Sequence, residues 1–123
     1  MKKLRVLIIE DDEWLVDEYA RTLNAHGYVP HHAPNVLEGI RAVDAVKPVV
    51  IVLDLFMPGP NGLVLLHELK SHSDLSHIPV VVVSTSASEL KSDALLPYGV
   101  LVVLDKASMQ PADIVVAIKK VLP

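Results

Sequence analysis

An α/β domain built on a parallel β-sheet is the fold class that this sequence predicts, on three observations. Five short β-branched or aliphatic runs, 4–9, 28–33, 49–54, 79–84 and 100–104, recur along the 123 residues. Segments with helical spacing of apolar residues lie between them. Four of the five runs are apolar almost without interruption, the pattern of strands buried on both faces of a parallel sheet.

The elements follow in order. LRVLII (4–9) runs straight into Glu10, Asp11, Asp12 and Glu13. Leu15, Tyr19 and Leu23, with Val16 and Ala20 beside them, make a helical stripe that Gly27 ends. YVPHHA (28–33) carries Pro30, His31 and His32, so it belongs at a sheet edge. Asn35 and Glu38 form a capping-box signature for a helix carrying Leu37, Ile40 and Val43. VVIVLD (49–54) ends in Asp54, and a loop of Pro58, Gly59, Pro60, Asn61 and Gly62 leads to a third helix carrying Leu65, Leu66 and Leu69. PVVVVS (79–84) ends in Ser84, Thr85 and Ser86, and Glu89 to Leu96 reads as a short fourth helix. VLVVL (100–104) leads into Asp105 and Lys106. Pro111 opens a last helix with Ile114, Ala117, Ile118 and Val121 inward, and Lys119 and Lys120 complement the dipole of its final turn.

Bulk properties narrow the class. The length suits one domain over 1–123, and a 51% apolar composition is enough for a substantial core. A net charge of −4 and the lack of a Lys/Arg stripe argue against direct contact with nucleic acid. With no cysteine there is no disulfide, thiolate metal site or thiol nucleophile. No apolar run approaches the ~18–20 residues that span a bilayer, and the N-terminus lacks a signal-peptide pattern. A soluble, cytoplasmic protein without membrane contact is the expectation. His67, His72 and His77 recur every five residues, which does not place them on one helical face, and His31 and His32 alternate across a strand, so no second metal site is expected.

Ligands of open α/β sheets bind at the carboxyl ends of the strands. Here those ends carry Glu10 and Asp11, Asp54, Ser84 and Lys106. Each has an ordinary reading alone: Asp12 and its neighbours as helix caps, Ser84 to Ser86 likewise, Lys106 as a surface lysine. Gathered on one rim they say more. Carboxylates at one site repel unless a cation joins them, and hard oxygen ligands without His or Cys suit Mg²⁺. A lysine and a hydroxyl facing the same point suit a phosphoryl group.

VLIIEDDE, VLDLFMPGPNGL and a lysine seven residues after Gly99 resemble the receiver domain of bacterial two-component response regulators. The resemblance covers essentially the whole chain. It implies the flavodoxin-like, doubly wound five-stranded parallel sheet in the order 2-1-3-4-5, flanked by five helices. It also implies Asp54 as phosphoacceptor, with Mg²⁺ held by Glu10, Asp11, Asp54 and the backbone carbonyl of Phe56. Ser84 would bind the phosphoryl group, a one-residue slip giving Thr85 that role, and Lys106 would pair with the carboxylate and then the phosphoryl oxygen. The implied partners are a sensor histidine kinase or histidine phosphotransfer protein and a downstream protein. The chain departs from the family pattern at Val103, where an aromatic switch residue is usual, and at Ala107, where a proline is usual. Both changes touch the usual output surface. Phe56 beside the acceptor would shield an acyl phosphate from water. Two other classes use such a fold: a pseudo-receiver acting through protein contacts alone, and a Mg²⁺-dependent phosphohydrolase, which would need a second aspartate where Phe56 stands.

Overall fold

Strands β1 (Leu4–Ile9), β2 (Tyr28–Ala33), β3 (Val50–Asp54), β4 (Val80–Ser84) and β5 (Val100–Asp105) form one parallel sheet in the order β2-β1-β3-β4-β5. The computed structural model describes residues 4–57, 59, 61–85 and 95–122. Four α-helices occur among them: α1 (Glu13–Ala25), α2 (Val36–Val46), α3 (Gly62–Ser71) and α4 (Pro111–Val121). The expected helix from Glu89 to Leu96 lies almost wholly outside the described residues. At its far end the chain makes a 3₁₀ turn, Leu96–Tyr98, so the described structure has four flanking helices and this turn rather than five helices. No helix among the described residues is long and apolar enough to cross a membrane.

Alternation along the strands divides the core in two. Leu7, Ile9, Ile51, Leu53, Val80 and Val82 meet α2 and α3 through Val36, Val43, Leu65, Leu66 and Leu69. Val6, Ile8, Val50, Val52, Val81 and Val83 face the other way, onto Val16, Tyr19 and Leu23 of α1 and Ile114, Val115 and Ile118 of α4. This two-sided burial explains why β3 and β4 carry no polar residue before their ends, and β1 none after Arg5.

Two expectations need correction, and the face of α2 is set by packing. Strand β5 is as apolar as β3, yet only Val100 is buried, because β5 occupies the sheet edge. A register shift between Val80 and Val81 leaves Leu101 unpaired and 67% exposed. In α2 the inward face is Val36, Gly39 and Val43, while Leu37 is exposed. Gly39 sets that rotation: a Cβ there would stand 2.6 Å from Ile9 Cδ1, so the helix comes closest to β1 at the residue without a side chain. The capping box at Asn35 is half made. Asn35 Oδ1 accepts from Glu38 N at 2.9 Å, but the Glu38 carboxylate turns to Arg41 at 2.8 Å.

The remaining helices begin and end for local reasons. Asp12 Oδ1 accepts from Trp14 N at 3.0 Å and Leu15 N at 3.3 Å, which starts α1 directly after the acidic run. Asn61 Oδ1 caps α3 through Leu63 N at 2.9 Å. Gly62 follows because a Cβ would lie 2.9 Å from Leu55 Cδ1 and 3.0 Å from Leu53 Cδ2. Its N–H bonds the Leu55 carbonyl at 2.8 Å, folding the loop back against the end of β3. At α4 the Gln110 N–H donates to Asp113 Oδ2 at 2.8 Å ahead of Pro111.

Candidate functional site

The alternation that builds the core also aims the site. Glu10 continues the row of Val6 and Ile8, Asp54 that of Val50 and Val52, and Lys106 that of Val102 and Leu104, all on the α1/α4 face. Two neighbouring strands and the sheet edge therefore deliver two acids and a base to the same rim. Lys106 Nζ lies 2.5 Å from Glu10 Oε1 and 2.9 Å from Asp54 Oδ2. Asp54 Oδ1 also accepts from Phe56 N at 3.2 Å. Glu10 is 2% exposed and Asp54 5%.

The charge balance is uneven. Two buried carboxylates share one ammonium, and Glu10 Oε1 has no hydrogen bond of good geometry, only its ion pair with Lys106. Burial, reinforced by its hydrogen bond with Asp54, pushes the Glu10 carboxyl up to about 8. Burial pulls the Lys106 ammonium down, but the bonds to Glu10 and Asp54 outweigh it and raise it above the usual lysine range. Tyr19 beneath the site is pushed up to about 12 by burial and then by the charge of Glu10.

Glu10, Asp11 and Asp54 bring one carboxylate oxygen each within 4.8 Å of one another, and Asp11 is the exposed member. All donors are hard oxygens, and the set carries more negative charge than Lys106 can balance. The residues therefore fit a divalent cation such as Mg²⁺, which prefers hard oxygen ligands.

The residues singled out in the sequence fall into two groups. Glu10, Asp11, Asp54 and Lys106 come together. Phe56 follows Asp54 with its side chain 47% exposed. Ser84 is wholly buried, its carbonyl accepting from Lys106 N at 2.9 Å, and alternation puts it in the row of Val80 and Val82. Thr85 is exposed. Val103 is half-buried against the α2/α3 core. Ala107 N donates to Asp105 Oδ1 at 2.9 Å, a turn contact that a proline could not make. His32 is the contact that sequence reasoning missed. Its Nε2 lies 2.8 Å from the Glu10 carbonyl oxygen. The signal was available in its place, one residue from the end of an edge strand beside β1.

A family model described as the response regulator receiver domain matches residues 6–119. The chain belongs to the response regulator receiver family. Protein PilH of Pseudomonas aeruginosa is 32% identical to this receiver over 85 residues, 69% of this chain and 70% of that protein. Transcriptional regulatory protein BaeR of Escherichia coli is 32% identical over 121 residues, 96% of this chain and 48% of that protein. The receiver thus spans about half the length of BaeR, and 37% of response regulator MprA of Mycobacterium ulcerans is covered. Among solved structures, chemotaxis protein CheY4 of Vibrio cholerae superposes with a TM-score of 0.89 at 21% identity, covering 98% of this chain and 100% of that one. The signal receiver domain of a histidine kinase from Syntrophus aciditrophicus gives 0.80 at 26% identity, covering 96% and 89%.

Proposed function

We propose that this receiver accepts a phosphoryl group on Asp54 from the phosphohistidine of a sensor histidine kinase or histidine phosphotransfer protein, and so switches a surface read by a downstream protein. The observation that carries the reading is the placement of Asp54 at the end of a wholly buried strand, 2.9 Å from Lys106 and inside the Glu10–Asp11–Asp54 cluster.

The Asp54 carboxylate is the nucleophile. One of its oxygens attacks phosphorus in line, the phosphorus–nitrogen bond of the donor breaks, and the imidazole leaves with its electron pair. Lys106 neutralises charge, first on Asp54 and then on a phosphoryl oxygen. Ser84, or Thr85 beside it, supplies the hydroxyl to that group. When Mg²⁺ is bound, Glu10, Asp11, Asp54 and the Phe56 carbonyl would hold it, and the chemistry it supplies is charge neutralisation at the phosphoryl oxygens. Water later attacks phosphorus, the bond to Asp54 breaks, and phosphate leaves the carboxylate free. The protein is a signalling switch that assists these two steps, acting in the cytoplasm as one receiver domain over 1–123.

Glu10, Asp11, Asp54 and Lys106 are all present, which sets this chain apart from a pseudo-receiver working by contact alone. Phe56, in place of a second aspartate, sets it apart from the phosphohydrolases. Incubation with acetyl phosphate and Mg²⁺, followed by intact mass, tests the proposal. Wild type gains one phosphate and Asp54→Ala gains none. A phosphate on the variant, or none on wild type, overturns it.

A further inference from the structure

The geometry points to His32 as a positioning residue that aims Asp11, and through it sets the affinity of the acidic cluster for a divalent cation. This rests on reading that cluster as a Mg²⁺ site.

The carbonyl of Glu10 and the N–H of Asp11 belong to one peptide plane. Both ends of that plane are held. The His32 Nε2 donates to the carbonyl at 2.8 Å, and the amide of Asp11 donates to Glu10 Oε2 at 3.1 Å. A carbonyl only accepts, so the ring must carry its hydrogen on Nε2. On the upstream side, Glu10 N donates to the Ala33 carbonyl at 3.2 Å. On the downstream side, Asp12 is fixed by its two cap bonds to α1. The rotation of the Glu10–Asp11 peptide is the freedom left between these anchors, and His32 closes it.

Asp11 is the member of the cluster that needs such help. Glu10 and Asp54 are buried and tied to Lys106. Asp11 is exposed, and its carboxylate makes no hydrogen bond or ion pair among the described residues. Only its backbone orients it. His32 is itself exposed on the edge strand, where its lateral neighbour is Ile8. The ring leans past that neighbour, along the strand, to reach a carbonyl two residues further on. Neighbouring His31 sits on the opposite face of the strand and serves as the internal control.

A Mg²⁺ titration followed by the fluorescence of Trp14, the one tryptophan of the chain, tests this on the intact protein. His32→Val suits an edge strand and removes the donor, while His32→Gln keeps an N–H able to reach the carbonyl. The valine variant is expected to bind Mg²⁺ about tenfold more weakly, the scale typical of lost outer contacts at metal sites. The glutamine and His31→Ala variants are expected to match wild type. At saturating Mg²⁺ all four proteins are expected to label equally with acetyl phosphate, and in chelator all four to unfold at the same urea midpoint. Unchanged Mg²⁺ affinity in His32→Val, or equal weakening by valine and glutamine, overturns the role of the donor. A wild type that binds no Mg²⁺ instead overturns the reading of the cluster on which the role rests.

Discussion

Strand β3 ends in Asp54 and strand β5 leads into Lys106, and the two strands are built differently. Every residue of β3 is buried, whereas β5 is buried only at Val100 and then half-exposed from Val102 to its end. Asp54 is thus clamped by core packing on both faces and by neighbours on both edges. Lys106 reaches the rim from an edge strand on a four-carbon stem, with its side chain 16% exposed and two carboxylates within range. Asp54 is held still, while Lys106 sits at the end of a longer stem within reach of two carboxylates. That division of labour suits phosphoryl transfer, in which positioning of the attacking atom and neutralisation of a moving charge are separate demands.

Core truncations break the contrast most directly. Leu53→Ala in β3 removes a side chain with 0% exposure and should cost about 3–5 kcal/mol, while Leu104→Ala in β5 should cost about 1 kcal/mol, since its site is open enough to relax. Urea unfolding in the two variants checks the difference, and equal losses would erase the distinction between the strands. Next, Lys106→Met should slow labelling by acetyl phosphate about 100-fold, the usual scale for losing one electrostatic stabiliser. A rate near wild type would mean that this cation is dispensable.

A smaller effect concerns the carboxylate next to β3. In chelator, folded Glu10 holds its proton to about 8 against an ordinary 4.5. The stability this proton confers is therefore fully present below pH 4.5 and lost as pH rises through 8. Glu10→Gln lacks that loss, so its stability should fall less than that of wild type between pH 5 and pH 9. Parallel pH dependences of unfolding would refute it. The smallest effect is at Phe56, just beyond β3. Phe56→Asn should speed loss of phosphate several-fold, under about 1.4 kcal/mol in barrier, by admitting water. A release rate that is unchanged or slower rules out shielding.

What the sequence made legible follows the same division. Strand β3 and Asp54 could be read because an apolar run stopping at a carboxylate is costly, and because the following proline- and glycine-rich loop is a specific signature. The cluster with Glu10, Asp11 and Lys106 was legible for the same reason, as charges left at strand ends. The exposure of β5 was not, since an apolar edge strand and an apolar central strand are spelled alike. Rotation of α2 depended on the fit of Gly39 against Ile9, a contact between separate elements that periodicity cannot register. His32 escaped because its role lies in a bond to a backbone atom 22 residues away, which no side-chain pattern encodes.

The shared row of Glu10, Asp54 and Lys106 also imposes a spelling rule on any descendant of this chain. Deleting one residue inside β1, β3 or β5 would swing the charged group at its end to the α2/α3 face. Deleting two would restore the face but draw the group back by about 6.6 Å along the strand. The segments between the strands carry no such parity. Lineages can change the length of those connections away from the strand ends, while insertions within the three strands should be purged even where the sheet itself could absorb them.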